Sequence, residues 1–215
     1  MINLNKIHLM PAREQVASIL RKAILSREFK EGTAITLEEI SKQLGVSITP
    51  VREAFQILSG DGLIKLRPNK GAIVLGINEK TIRDHYETRA ILESAAVYKV
   101  CKSGTDITNI VAAFLHAKEA LNENDYMEYT KHNQSFHLEI WTAADNDKIK
   151  SLLSSMWNGL SMGSNVKEKE YAQISIKEHE KIVEAIQRRE AEAARDLMNQ
   201  HIMRSLENIL THYNE

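Results

Sequence analysis

All three prolines of this 215-residue chain, Pro11, Pro50 and Pro68, lie before residue 76, and none follows from Asn78 to Glu215. Proline removes a backbone donor and clashes with the preceding helical turn, so a proline-free stretch of this length is free to be helical throughout. Ala, Leu, Ile, Glu and Lys dominate it, with apolar residues recurring at helical spacing. Five of the nine glycines (Gly32, Gly45, Gly60, Gly62, Gly71) also precede residue 76. The pattern predicts a tightly turned module over residues 1–76 and a helical domain over 77–215, joined by a linker at Gly76–Asn78. Six helices are expected in the second part, near 79–102, 106–122, 125–143, 146–163, 169–188 and 190–212. The fold class is therefore mainly α.

Charge divides the same way. Residues 1–76 carry 11 Lys and Arg against 7 Asp and Glu, whereas residues 77–215 carry 17 against 22, which together give the overall −1. A basic module ahead of an acidic remainder favours phosphate contact by the first part and a different task for the second. The 43% hydrophobic and 27% charged content is that of a folded globular chain. With no long apolar run and no secretory pattern in MINLNKIHLMPARE, no membrane association and a cytoplasmic location are expected. The single cysteine, Cys101, excludes an internal disulfide framework. Its helical setting, AAVYKVCK, reads as a small core or boundary residue.

In the first module, Pro11 suits the first turn of a helix running to about Ser26, with Val16, Ile19, Leu20, Ala23 and Ile24 facing inward. Thr36 opens a second helix, because TLEE is a capping-box pattern, and Gly45 ends it. A third begins near Thr49 and Pro50 and turns Val51, Ala54, Phe55 and Leu58 inward. Two short strands, about Leu63–Leu66 and Ala72–Leu75, then flank a Pro-Asn-Lys-Gly turn. The order helix, turn, helix, two-stranded wing is that of a DNA-binding winged helix-turn-helix. Such a module lays its second helix in the major groove, so Ser47, Ile48, Thr49 and Arg52 at that helix's start are candidate DNA contacts. Lys65, Arg67 and Lys70 on the wing are candidates for phosphate or minor-groove contact.

The segment LEEISKQLGVSITPVREAFQILSGDGLIKLRPNKGAIV resembles the N-terminal domain of GntR-family transcriptional regulators, whose usual pattern is close to LGVSRTPVREAL followed by GL and a wing. Ile48 stands where the family commonly has a DNA-contacting arginine. An apolar contact, for example with a thymine methyl, can replace it there.

Three of the eight histidines face inward by helical phase. His137 shares a face with Ile140 and Trp141, His179 with Ile182, Val183 and Ile186, and His201 with Leu197 and Met198. A lone inward histidine is usually a hydrogen-bonded core residue, but three from three helices of one bundle call for a common partner. Neutral imidazoles suit first-row divalent metals. Asn133, one turn before His137, adds an oxygen to that face. His8, His85, His116, His132 and His212 read as structural or solvated.

This half resembles the FCD-type effector domain of many GntR regulators, where an Asp-x-x-x-His pair and two later histidines bind a metal. The resemblance implies the ligand set Asn133, His137, His179 and His201, a divalent transition metal (zinc, with nickel or manganese as alternatives), and a shorter, VanR-like subgroup. Asn133 in place of aspartate weakens the set, since an amide oxygen is a poorer ligand than a carboxylate. In the family the metal helps hold an organic acid. Arg89, in YETRAILE, is the candidate second anchor, with Tyr86 on its face; an i,i+4 ion pair between Arg89 and Glu93 is the competing reading. An enzyme using the metal to activate water is the runner-up, disfavoured because no inward carboxylate with general-base spacing accompanies the histidines. The expected function is a homodimer on a palindromic double-stranded operator, controlled by a small carboxylate effector.

Overall fold

The computed structural model describes residues 11–25, 28–68, 70–76, 78–157 and 168–213. The chain forms two compact units, Met1–Asn78 and Glu79–Glu215. Among the described residues no helix is long and apolar enough to cross a membrane.

In the first unit α1 (Ala12–Leu25) is followed by β1 (Ala34–Ile35), α2 (Leu37–Leu44), α3 (Ile48–Gly60), β2 (Ile64–Arg67) and β3 (Gly71–Val74). Pro11 sits just ahead of α1, its carbonyl accepting from the amides of Glu14 and Gln15. The expected end at Ser26 lies outside the described residues. Val16, Ala17, Leu20 and Ile24 line the buried face, while Ile19 is 51% exposed. That corrects the expectation for Ile19: at 100° per residue it lies well off the direction shared by these four. Buried Arg21 instead reaches Asp61, which caps the end of α3.

The capping box forms as Thr36 and Glu39 dictate. The Glu39 amide donates to Thr36 Oγ1 and the Thr36 amide to the Glu39 carboxylate, both at 3.2 Å. Gly45 closes α2 in the left-handed conformation, φ 65°, its amide donating to the Ser41 carbonyl. Val51, Ala54, Phe55 and Leu58 of α3 are buried, as the sequence pattern requires, and join Val16, Leu20, Ile40 and Leu63 in one core. Each such fully buried large side chain contributes roughly 1.5–3 kcal/mol.

The wing strands lie one residue from their expected positions, and a third strand joins them. β1 pairs antiparallel with β3, giving the order β1-β3-β2. A two-residue strand has too little period-2 pattern to be read from sequence. The turn residue Asn69 lies outside the described residues.

The second unit is a six-helix all-α bundle: α4 (Glu79–Ser103), α5 (Thr108–Asn122), α6 (Tyr126–Ala143), α7 (Asp147–Trp157), α8 (Glu168–Gln187) and α9 (Ala191–Tyr213). The expected fourth helix of this unit, to 163, is described only to Trp157. Helix α4 packs along α9 and α5 along α6, with α8 against α9 and α5, and α7 against α4 and α6. Small buried residues, Ala90 and Ala96 on α4 and Ala191 and Ala194 on α9, let the helices approach. Larger ones, Phe136, Ile140 and Trp141 on α6 and Ile182 and Ile186 on α8, fill the interior. Cys101 is buried, and burial pushes its thiol pKa up, as suits a packing residue rather than a nucleophile.

Candidate functional site

The start of α3 presents the first group of candidates. Ser47 is its N-cap residue but makes no capping hydrogen bond with its side chain. Ser47, Ile48, Thr49 and Arg52 are all exposed at this end, and Lys65, Arg67 and Lys70 are exposed on β2 and the turn after it. The capping box and Gly45 set the turn between α2 and α3, and the four buried residues of α3 anchor its other face. What remains outward is hydroxyl, apolar side chain and cation in one row, which is the chemistry of a groove-reading surface.

The second group lies inside the bundle. Helical spacing brings Asn133, His137 and Trp141 to one stripe of α6, Tyr86, Arg89 and Glu93 to one stripe of α4, and Tyr171, Ser175 and Glu178 to one stripe of α8. His179 and His201 come from α8 and α9. His137, His179 and His201 are buried, and one ring nitrogen from each lies within 4.8 Å of the others, a cluster able to coordinate a metal. His179 Nε2 and His201 Nε2 are 3.1 Å apart. With metal–nitrogen bonds of about 2.0–2.1 Å, neighbouring ligand nitrogens sit roughly 3.0–3.4 Å apart. The pair therefore already has the separation of two ligands on one ion. His179 Nδ1 is a buried nitrogen with no hydrogen-bond partner among the described residues.

Two further residues fix the orientation of the other rings. Glu93, completely buried on α4, accepts from His137 Nδ1 at 2.6 Å, from Arg89 Nη2 at 2.6 Å and from Trp141 Nε1 at 3.3 Å. Glu178 on α8 accepts from His201 Nδ1 at 2.6 Å and from Arg204 Nη2 at 2.7 Å. Two Arg–Glu–His relays, Arg89–Glu93–His137 and Arg204–Glu178–His201, thus come from different helix pairs, and each engages Nδ1 of its histidine. Carboxylates behind metal-binding histidines characteristically set the tautomer and the ring angle.

Electrostatics agrees. Burial alone would raise the Glu93 pKa, but the contacts from His137 and Arg89 outweigh it and hold the carboxyl well below its usual range. Glu178 is lowered against the same opposing burial by hydrogen bonds from His201 and Arg204. His179 is pushed well below its ordinary value by burial and then by the neighbouring His201 and His137. His201 is pushed down to about 4, chiefly by burial, with Glu178 opposing. Neutral imidazoles are what a metal requires.

The cluster opens on a cavity of about 60 Å³ lined by Tyr86, Arg89, Asn133, His137, Trp157, Tyr171, Ser175, His201, Ile202 and Ser205. Arg89 stacks over Trp157 at 4.8 Å and over Tyr86 at 5.5 Å. The two readings of Arg89 are therefore compatible: it pairs with Glu93 and also lines the cavity. Asn133 lies on the cavity wall beside His137, with its Oδ1 3.5 Å from the Tyr129 hydroxyl.

No inward carboxylate with general-base spacing was expected beside the histidines, and the two carboxylates that do accompany them, Glu93 and Glu178, are engaged on ring Nδ1 atoms. Both had been hidden by helical phase, Glu93 as half of an apparent surface pair with Arg89 and Glu178 as a neighbour about 100° around the helix from His179. The Tyr171, Ser175, Glu178 spacing of four and three was the available signal. Trp157, at the end of α7, is contributed by tertiary packing alone. Of the remaining histidines, His116 is exposed and His85 and His132 are half-buried, while the side chains of His8 and His212 lie outside the described residues.

Comparison with known proteins assigns both units. The FCD domain model matches residues 84–204, and the model of bacterial regulatory proteins of the gntR family matches residues 12–74. This chain belongs to the GntR family of regulators and carries an FCD domain. The GntR regulator is 27% identical to the uncharacterized HTH-type transcriptional regulator YdhC of Bacillus subtilis, covering 88% of this chain and 87% of that one. It is 28% identical to the gluconate operon transcriptional repressor of the same species, over 91% and 82% of the two chains. Among solved structures, a putative GntR transcriptional regulator from Rhodococcus sp. RHA1 superposes with a TM-score of 0.67 at 26% identity, covering 94% and 99%. McbR/YncC of E. coli shares the fold with a TM-score of 0.73 at 18% identity, covering 95% of this chain and 100% of that one. The YdhC and gluconate operon relatives are transcriptional regulators and not enzymes.

Proposed function

We propose that this GntR regulator binds a palindromic operator as a cytoplasmic homodimer, and that a small organic acid held at a metal in the FCD domain controls that binding. One observation carries the reading: three buried histidines bring ring nitrogens together beside a cavity that Arg89 also lines. His137, His179 and His201 would hold the ion through nitrogen, with Asn133 as an oxygen ligand. Zinc, nickel or manganese would suit this set. When bound, such an ion supplies a positive centre for a carboxylate, while Arg89 and Tyr86 supply a second anchor. A repressor of a gluconate operon among the relatives is in keeping with an acid effector. The six-helix bundle supports a VanR-like subgroup.

On the DNA side, Ser47, Ile48, Thr49 and Arg52 read the major groove, and Lys65, Arg67 and Lys70 hold the adjoining backbone. Coupling between effector and operator is expected at about 1–3 kcal/mol, a 5- to 150-fold change in operator affinity. The test is operator binding by metal-loaded and chelator-treated protein with and without candidate acids, with Arg52→Ala as the variant that should not bind operator. The reading predicts an acid response that disappears on chelation while the protein stays folded. An acid response unchanged by metal removal, or full operator affinity in Arg52→Ala, would overturn it.

A further inference from the structure

Helix α4 packs one face against α9, α6 and α7 and leaves the opposite face exposed. Ile82, Tyr86, Glu93, Val97 and Val100 lie on the buried side. At 100° per residue, the side opposite is centred on Asp84, Thr88, Ile91, Ala95, Tyr98 and Lys102. All of these are exposed except Tyr98, which is half-buried, and Ile91 is 67% exposed. A scattered exposed apolar residue such as Leu115 on α5 needs no explanation. The α4 residues differ from it in their spacing, which runs four, three, four, three, four. That is the repeat with which one helix meets another along a continuous seam. Thr88 and Ala95 are small enough to let a second helix approach, while Ile91 and Tyr98 offer it larger apolar surface.

The charges of the stripe specify which helix that is. The stripe is acidic at one end, Asp84, and basic at the other, Lys102. Two copies laid parallel would set Asp84 against Asp84 and Lys102 against Lys102. Laid antiparallel about a two-fold axis at the level of position 93, they set Asp84 against Lys102 at both ends. The register then closes throughout: Asp84 and Lys102 lie nine residues either side of position 93, Thr88 and Tyr98 five, and Ile91 and Ala95 two. Every residue of the stripe meets another from the same stripe, which is the condition of an isologous interface. Within one chain Asp84 pairs with Lys80, and Lys102 lies 3.5 Å from Glu192 and over the Tyr98 ring. Those ion pairs are exposed and contribute little, so exchanging them across a seam costs little. From this symmetry we infer that the outer face of α4 is the surface on which a second copy of this chain docks, helix against helix and antiparallel. The inference rests on the homodimer reading above and names the surface that forms it.

The experiment measures self-association of the full-length protein by sedimentation at micromolar concentration. The unmodified chain should be a dimer. Ile91→Glu, which sets like charges near the centre of the seam, should raise the dissociation constant about tenfold or more. Asp84→Lys and Lys102→Asp should each weaken the dimer severalfold, and the two together should restore it, because the reversed pair attracts equally. A chain carrying both Ile91→Cys and Ala95→Cys should crosslink to its copy on mild oxidation, whereas Leu115→Cys on α5 should not. Unmodified protein that stays monomeric overturns the inference together with the homodimer reading. A dimer that Ile91→Glu leaves unchanged, or that crosslinks as readily through Leu115→Cys as through the paired cysteines, overturns the inference alone. Charge reversals that weaken the dimer singly and fail to restore it together overturn the antiparallel register. If Ile91→Glu does not fold, the charge reversals and the crosslinks still decide the matter.

Discussion

At the residue scale, His201 shows how little of a ligand's behaviour belongs to the ligand. Its ring is directed by Glu178, which is itself held by Arg204, and Arg204 also donates to Ser175 and stacks over Tyr171 at 4.7 Å. Replacing Glu178 by glutamine keeps the shape but removes the negative charge that favours Nδ1–H and a bare Nε2. Outer partners of this kind commonly contribute 10- to 100-fold in metal affinity. Glu178→Gln should weaken zinc binding in that range, measured by competition with a chromophoric chelator, while operator affinity of the metal-free protein stays unchanged. An unaltered zinc affinity would show that the relay only packs. The histidines themselves were legible from helical phase; their carboxylate partners were not, because Glu93 beside Arg89 at i,i+4 looks the same on a solvated face as in a core, and Glu178 meets His201 and Arg204 only across two helices.

At the element scale, the wing depends on a glycine for two reasons. Gly71 has φ +81°, and a Cβ there would lie 2.1 Å from the Ile35 carbonyl oxygen on β1. The sequence marked Gly71 as a turn residue, which accounts for its φ. The close approach of β1 is visible only once the third strand is placed. Gly71→Ala should therefore do more than strain a turn: β1 must separate from β3. A loss of about 2 kcal/mol or more is expected in denaturant unfolding of the DNA-binding unit, from steric overlap added to left-handed backbone strain. Operator affinity should fall with it. A cost under about 0.5 kcal/mol would mean that the β1 pairing is dispensable. By contrast α2 and α3 were readable in advance, since the capping box, Gly45 and the spacing of Val51, Ala54, Phe55 and Leu58 are local or periodic signals.

At the scale of the whole molecule, the buried histidines link stability to pH. His201 binds a proton in the folded protein only near pH 4, whereas an unfolded chain protonates it near 6.5. Between those values the unfolded state holds more protons, so stability rises with pH and is lost as pH falls from 6.5 toward 4. The contribution is on the order of 3 kcal/mol for a displacement of this size. His179, lowered for the same reason, acts in the same direction. The lowered carboxyls of Glu93 and Glu178 extend the loss to more acid conditions. Metal-free protein followed by urea unfolding from pH 7.5 to 4.5 should lose stability steeply below about 6.5. The double substitution His179→Gln, His201→Gln should flatten that profile. A flat profile in the unmodified protein would show that these rings are not held neutral by burial.

The sequence by itself determined the division into a basic, turn-rich module and a proline-free helical one, the winged helix-turn-helix order, the six helices of the bundle and the inward phase of His137, His179 and His201. Those are consequences of local backbone chemistry and of periodicity along one chain. Only the tertiary structure decided that the three rings meet, that Glu93 and Glu178 stand behind two of them, that Trp157 and Arg89 stack at the cavity, and that β1 completes the wing. Each of these joins residues from different elements, and helical phase specifies only which way a side chain faces. What it faces depends on how the elements pack.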